Sequence, residues 1–167
     1  MERTEPRTAA PASRFRTPAF WLLRVLPPLL FMALIYWMGT ERASAGETRS
    51  LLERLVALFS PAMAESLSPA AIELANKAVR KSGHFLSYAL LAVLDARPFR
   101  EPGKPLAPRW GWAAWLAATA WAAVDEFHQS FDPSRGGVVE DVFLDSAGAA
   151  FGVYLYQLWT RRASRRG

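Results

Sequence analysis

The chain has 167 residues, enough for one domain of ordinary size and hardly for two. About half of it is hydrophobic, with seven Trp, ten Phe and four Tyr, and the formal net charge is +5. It has no cysteine, which excludes a disulfide framework and thiolate chemistry and leaves the redox compartment open.

Residues 1–18 are rich in Pro, Thr, Ala and Arg and read as a disordered basic tail ahead of a domain over 19–160. The first apolar segment, about 20–39, is FWLLRVLPPLLFMALIYWMG, with Arg24 as its one charge. It is longer than the apolar core of an ordinary signal peptide, and Trp21 and Trp37 suit interfacial anchors, so a retained span is expected. Pro27-Pro28 should distort it, because two N–H donors are missing and each ring crowds the preceding turn. Next, SLLERLVALF (Ser50 to Phe59) puts Leu51, Leu55, Leu58 and Phe59 on one face with Glu53 and Arg54 opposite, the pattern of a short helix lying on a membrane surface.

Ser68 followed by Pro69 is a helix start, and the chain from there can run without a break into a second span at about 82–99. A third span is expected at about 106–127 and a fourth at about 142–159, with a basic tail at 161–167. The fold class read from this pattern is an all-α integral membrane four-helix bundle with an extracytoplasmic amphipathic segment. Placing the N-terminus inside puts thirteen of the twenty Lys and Arg on the cytoplasmic face, among them Arg97, Arg100, Lys104, Arg109 and the tail arginines. That bias predicts an N-in, C-in protein of a bacterial cytoplasmic membrane. The start of the second span, the end of the third and the start of the fourth then share one extracytoplasmic level.

Polar residues gather at that level. Lys81, His84 and Tyr88 fall at i, i+3 and i+7. VDEFHQSF supplies Asp125, Glu126 and Gln129; Asp141 and Asp145 are four apart; the loop FDPSRGG between them carries Arg135. Ionisable groups at membrane depth cost several kcal/mol unless paired or wet, so as a cluster they point to a site. His84 suits acid–base work with Asp125 or Glu126 beside it, and Lys81 and Arg135 suit an anionic group. His84 with Asp125, Glu126 and Asp141 could also hold a divalent metal, although no tight ligand spacing is present and the sequence requires no cofactor. Each residue has a plainer reading as well. Arg80 reads as an interfacial anchor, Asp141 as a helix cap and Arg135 as a brace for the carboxylates. Gly148 and Gly152 form a small-xxx-small pair on which another helix, or a second copy of the chain, can pack closely.

These elements resemble the VanZ-like family of membrane proteins. Its pattern is Lys-x-x-His-Phe-x-x-Tyr, then Asp-Glu-x-x-Gln, a Phe-x-Pro-x-Arg-x-Gly loop, and Asp-x-x-x-Asn-x-x-Gly-x-x-x-Gly. The chain has KSGHFLSY at 81–88, DEFHQSFDPSRGG at 125–137 and DVFLDSAGAAFG at 141–152, so the match runs from about Asn76 to Trp159. It departs at Asp145, where many members carry Asn, so that Asp145 is either protonated or paired with a cation. The resemblance implies a four-span envelope protein, linked in some members to resistance to glycopeptides such as teicoplanin. It marks Lys81, His84, Tyr88, Asp125, Glu126, Gln129, Arg135 and Asp141 as the functional set and supplies no reaction. Two function classes fit: an enzyme acting on an outer-leaflet lipid or lipid-linked glycan, and a non-catalytic protein that binds lipid or peptidoglycan precursors. A small proton-coupled transporter fits less well. The expected partners are membrane lipids or envelope precursors, not nucleic acid.

Overall fold

A computed structural model describes residues 17–39, 45–131 and 139–166. The described residues are all-helical, with no strand. Six helices follow one another: α1 (Pro18–Met38), α2 (Ala45–Phe59), α3 (Pro61–Ser66), α4 (Pro69–Ala96), α5 (Pro108–Gln129) and α6 (Val139–Ala163).

Thr17 starts α1 by accepting the Phe20 N–H, with Pro18 at the first helical position. The expected distortion is there, as a π-turn over Trp21–Val25 in which the Leu26 N–H reaches back to the Trp21 carbonyl. Pro27 and Pro28 have no N–H to give Leu23 and Arg24, and widening that turn relieves the crowding from their rings. Ser68 starts α4 as its spacing predicts, its Oγ accepting the Ala71 N–H at 3.2 Å. The helix then runs 28 residues, about 42 Å at the standard rise, so the stretch that starts at Pro69 and the second expected span are one rod. Before it, α2 begins earlier than the Ser50 start read from the sequence. Its Leu51, Leu55, Leu58 and Phe59 are exposed, while Leu52 and Val56 turn toward Ile72 and Ala75 of α4.

The long helices form an up-and-down bundle. Four contacts climb α4 and α6 in the same direction: Lys81 with Asp141, His84 with Asp145, Phe85 with Gly148 and Ala89 with Gly152. These two helices are therefore parallel, with α5 antiparallel to both. The far end is fastened by Thr160 of α6, whose Oγ1 accepts the Leu106 N–H just ahead of α5. Midway, Trp115 of α5 donates to the Ser146 carbonyl of α6 and the Thr119 hydroxyl to Ser146 Oγ.

The buried faces of α5 and α6 are made largely of small residues, Tyr88 and Leu91 of α4 are the large side chains buried against them, and many large apolar residues lie outside. Gly111, Ala114, Ala118 and Ala122 form the buried stripe of α5, and Gly148, Ala149 and Gly152 that of α6. Leu22, Leu23, Leu29 and Leu30 of α1, Leu86 of α4, Trp112 and Leu116 of α5, and Phe143 and Tyr154 of α6 all face outward. Among the described residues α1 is the one helix long and apolar enough, by length and composition, to cross a membrane. The other three expected spans fall short of that measure for a physical reason. Alanine and glycine, used for close packing, add little hydropathy, and the helix ends carry the ionisable residues.

A Cβ at Gly148 would collide with the Phe85 carbonyl, and one at Gly152 with the Ala89 carbonyl. Both obstacles are backbone and cannot step aside. The pair read from the sequence as a small-residue contact is thus filled within the chain, and association between copies would need another face. Gly148→Ala and Gly152→Ala should each destabilise the bundle by about 1–3 kcal/mol through forced separation of α4 and α6. Gly83→Ala, whose Cβ meets nothing within 4 Å, should be neutral or stabilising. Thermal unfolding of the detergent-solubilised variants checks this, and equal behaviour of the three would refute the close-packing account.

Candidate functional site

A cavity of about 190 Å³ opens between the last turn of α1, the middle of α4 and the end of α5. From α4 it receives Arg80, Gly83, His84, Ser87 and Tyr88, which share one face because steps of three and four residues keep to one side of a helix. From α5 it receives Asp125 and Gln129, the last members of the buried stripe that begins at Gly111. Ile35, Met38 and Gly39 of α1 form an apolar wall, and Thr48 of α2 reaches the rim.

Asp125 is deeply enclosed, 2% exposed. Its Oδ2 accepts from the Gln129 amide at 2.9 Å and, at a longer 3.4 Å, from the Tyr88 hydroxyl. Its Oδ1 is buried and has no hydrogen-bond partner among the described residues. Gly39 packs against that oxygen: a Cβ there would sit 3.0 Å from Oδ1. The helix junction that brings α1 to the site is completed by Tyr36, whose ring stacks on His128 with centroids 4.2 Å apart.

His84 turns Nδ1 toward Asp145 Oδ2, at 3.4 Å. Asp145 thus has the His84 imidazole as its partner, a cation only when His84 is protonated. Asp145 is 3% exposed, and its second oxygen, like that of Asp125, has no hydrogen-bond partner among the described residues. Lys81 bonds Asp141 at 2.7 Å near the surface. The Asp141 carboxylate pushes the Lys81 ammonium above the ordinary lysine pKa, so Lys81 is a fixed cation beside the site.

The structure thus brings His84, Tyr88, Asp125 and Gln129 together in one cavity. Lys81 and Asp141 form a separate pair one turn nearer the helix starts and do not line it. Glu126 is buried, also without lining the cavity, on the flank of α5 next to Asp125. Arg135 lies outside the described residues. No three His, Asp or Glu side chains converge as metal ligands among the described residues. Sequence reasoning missed Asp145 as the partner of His84, and Arg80 and Ser87 as cavity residues. Their signal was spacing: Arg80 is four residues before His84, and Ser87 three after.

Asp125→Ala should strand the Tyr88 hydroxyl and the Gln129 amide in a buried place, at about 1–3 kcal/mol for each lost acceptor. Asp125→Asn keeps an acceptor oxygen and should lose clearly less. Thermal unfolding of the two variants side by side tests whether Asp125 organises this network; equal losses would show that it does not.

Neither curated proteins nor solved structures provide a match to the chain. The VanZ/LLP1 family model does match it, over residues 25–160. That span takes in all four long helices except the first turns of α1 and the last residues of α6, together with every residue of the cavity, and the chain belongs to the VanZ/LLP1 family.

Proposed function

We propose that the chain is a four-span envelope protein of a bacterial cytoplasmic membrane, N-in and C-in, with the cavity at the outer leaflet. The inside-out composition supports the spans. A soluble bundle buries its Leu and Phe, whereas a bundle in lipid gains nothing from that and packs through Gly and Ala. The parallel run of α4 and α6 supports the same topology, since the second and fourth spans must cross in one direction. Arginines at the far end of the bundle, Arg24, Arg97, Arg100, Arg109, Arg161 and Arg162, suit the cytoplasmic side.

The function the geometry supports best is an enzyme acting on an outer-leaflet lipid or lipid-linked glycan. One observation carries it: a histidine oriented by a buried carboxylate shares a cavity with a second buried carboxylate that has an oxygen to spare. With Nδ1–H donated to Asp145, His84 keeps Nε2 to take a proton from a substrate hydroxyl or water and return it to a leaving group. Asp125 Oδ1 would accept from a substrate hydroxyl, and Arg80 at the mouth would hold an anionic head group. Lys81 adds positive charge nearby. The apolar wall from α1 would lie along the lipid portion.

The second reading is a non-catalytic binder of lipid or peptidoglycan precursors that lowers glycopeptide access. The internal pairing of Lys81 with Asp141 and of His84 with Asp145 favours it, because paired groups make a shaped, static surface.

The absence of cysteine makes topology directly testable. Single cysteines at Ala62 and Arg166 should divide, with Ala62→Cys labelled by a membrane-impermeant maleimide in intact cells and Arg166→Cys labelled only after lysis. The opposite pattern, or labelling of both, ends the N-in, C-in reading. For the site, His84→Gln and Asp145→Asn should fold with near-normal thermal stability yet abolish any glycopeptide phenotype. If stability and phenotype fall together, the cluster is structural. Lipid extracts from cells making the wild type or His84→Gln then separate the two functions: an enzyme changes the chemical inventory and a binder leaves it the same.

A further inference from the structure

The cavity between α1, α4 and α5 holds a hydroxyl to which no task has been given. Ser87 lines it beside His84, three residues further along α4. Helical serines and threonines commonly return the hydroxyl to a carbonyl of the preceding turn, as Ser130, Thr160 and Ser164 do at the ends of α5 and α6. Ser87 does not: its Oγ makes no hydrogen bond with any described residue. Side chains on a helix lean toward its N-terminus, which for Ser87 is the turn carrying Gly83 and His84. Residues three apart on a helix are neighbours, about 5–6 Å between Cβ atoms, a gap that an imidazole spans. At Gly83 an added Cβ would meet nothing within 4 Å, so the space beside the pair is open. We infer that Ser87 is a nucleophile served by His84 and Asp145, and that it acts on a carboxylic ester of an anionic lipid. This inference rests on the enzyme reading of the same cavity and deepens it.

A weak nucleophile needs a base that is itself oriented by a third group. Asp145 Oδ2 faces His84 Nδ1 at 3.4 Å, which leaves Nε2 for the Ser87 hydroxyl. The Ser87 Oγ bonds to the ester carbonyl carbon as its proton passes to His84 Nε2. The tetrahedral carbon then collapses, the C–O bond to the glycerol breaks, and His84 returns the proton to the departing oxygen. Water repeats the sequence on the acyl-serine: it gives a proton to His84 and bonds to the acyl carbon, and the released Ser87 Oγ takes that proton back. Ester and water become carboxylic acid and lysolipid, with no redox change. The choice of substrate comes from Arg80, which lines the same cavity and has no hydrogen bond or ion pair with a described residue. Seven residues place it about 10 Å nearer the start of α4 at the standard rise, which is the outer side in the proposed topology. In a glycerophospholipid the ester carbonyls lie deeper in the leaflet than the phosphate. A guanidinium above and a hydroxyl below match that order, with Ile35 and Met38 along the acyl chain.

A fluorophosphonate with a long alkyl chain, added to the full chain in detergent, tests the nucleophile. Peptide mass spectrometry should find the adduct on Ser87, and His84→Gln should slow its formation at least about a hundredfold. Ser82→Ala, at an exposed position on the same helix, should label as wild type does. Palmitoyl-oleoyl phosphatidylglycerol in mixed micelles tests the substrate: wild type should release fatty acid, and Ser87→Ala at least about a hundredfold more slowly. Dioleoylglycerol, which lacks the phosphate, should be cleaved at least about tenfold more slowly than the phospholipid. An unlabelled Ser87 in folded wild type, or labelling that survives His84→Gln, overturns the nucleophile; labelling without fatty-acid release overturns the ester. Melting temperatures establish folding, and Ser87→Cys stands in if Ser87→Ala does not fold. Its thiol would be the chain's only one, and N-ethylmaleimide should alkylate it at pH 7 at least about tenfold faster than in Ser87→Cys with His84→Gln. Equal rates again overturn the inference. Should it fall while lipid extracts still differ between wild type and His84→Gln, the enzyme reading stands without Ser87; should the extracts also agree, both fall.

Discussion

Everything else in this bundle depends on how closely α4 and α6 approach. Two glycines one turn apart let the backbone of α6 rest on the backbone of α4 at Phe85 and Ala89. Contact at backbone distance allows little sliding and no rotation, so it sets the register of the two helices along their whole shared length. The ionisable pairs follow from that register. One turn above Gly148 is Asp145, opposite His84, and one turn above that is Asp141, opposite Lys81. The pairs are therefore less the cause of the packing than its consequence. They also explain why ionisable residues are tolerated there, since Lys81 meets Asp141 and His84 meets Asp145.

The third helix completes the arrangement by a different device. The buried stripe of α5 is almost entirely alanine and glycine until its last turn, where it becomes Asp125, Glu126 and Gln129. Small residues bring α5 close to the α4–α6 pair, and polar ones at the end of the stripe are carried inward by the same geometry. The Asp125 carboxylate consequently sits between Tyr88, Gln129 and Gly39, with one oxygen satisfied twice and the other, among the described residues, not at all. A buried acceptor without a donor is costly, and in a cavity it is a place for a ligand's hydroxyl or a proton. The two ends of the bundle are chemically opposite. One concentrates carboxylates around a histidine, the other arginines around aromatic rings.

Much of this was legible in the chain. Ser68-Pro69 announces the start of α4, Pro27-Pro28 announces a distortion in α1, and the recurrence of His84, Tyr88, Asp125 and Gln129 at helical steps marks the faces that meet. These are local signals, decided by backbone hydrogen bonding and by the 3.6-residue turn, and they survive in any tertiary setting. The motif order, from KSGHFLSY to DVFLDSAGAAFG, carried the family as well, which the match over residues 25–160 bears out.

Partnership was not legible, because it depends on rotation about helix axes that no local signal specifies. Lys81 and His84 are three residues apart, and a modest rotation decides which of them faces the cavity; His84 does, and Lys81 turns to Asp141. Asp125 and Glu126 are adjacent and chemically near-equal, yet only Asp125 lines the cavity, because 100° of helix separates neighbouring side chains. Arg80 reads as an anchor from its position beside a span and becomes a cavity residue only once α1 closes over that face. The sequence by itself determined the helices, their order and the level at which polar residues gather. Tertiary packing, through the contact of Gly148 and Gly152 with α4, decided which of those residues touch.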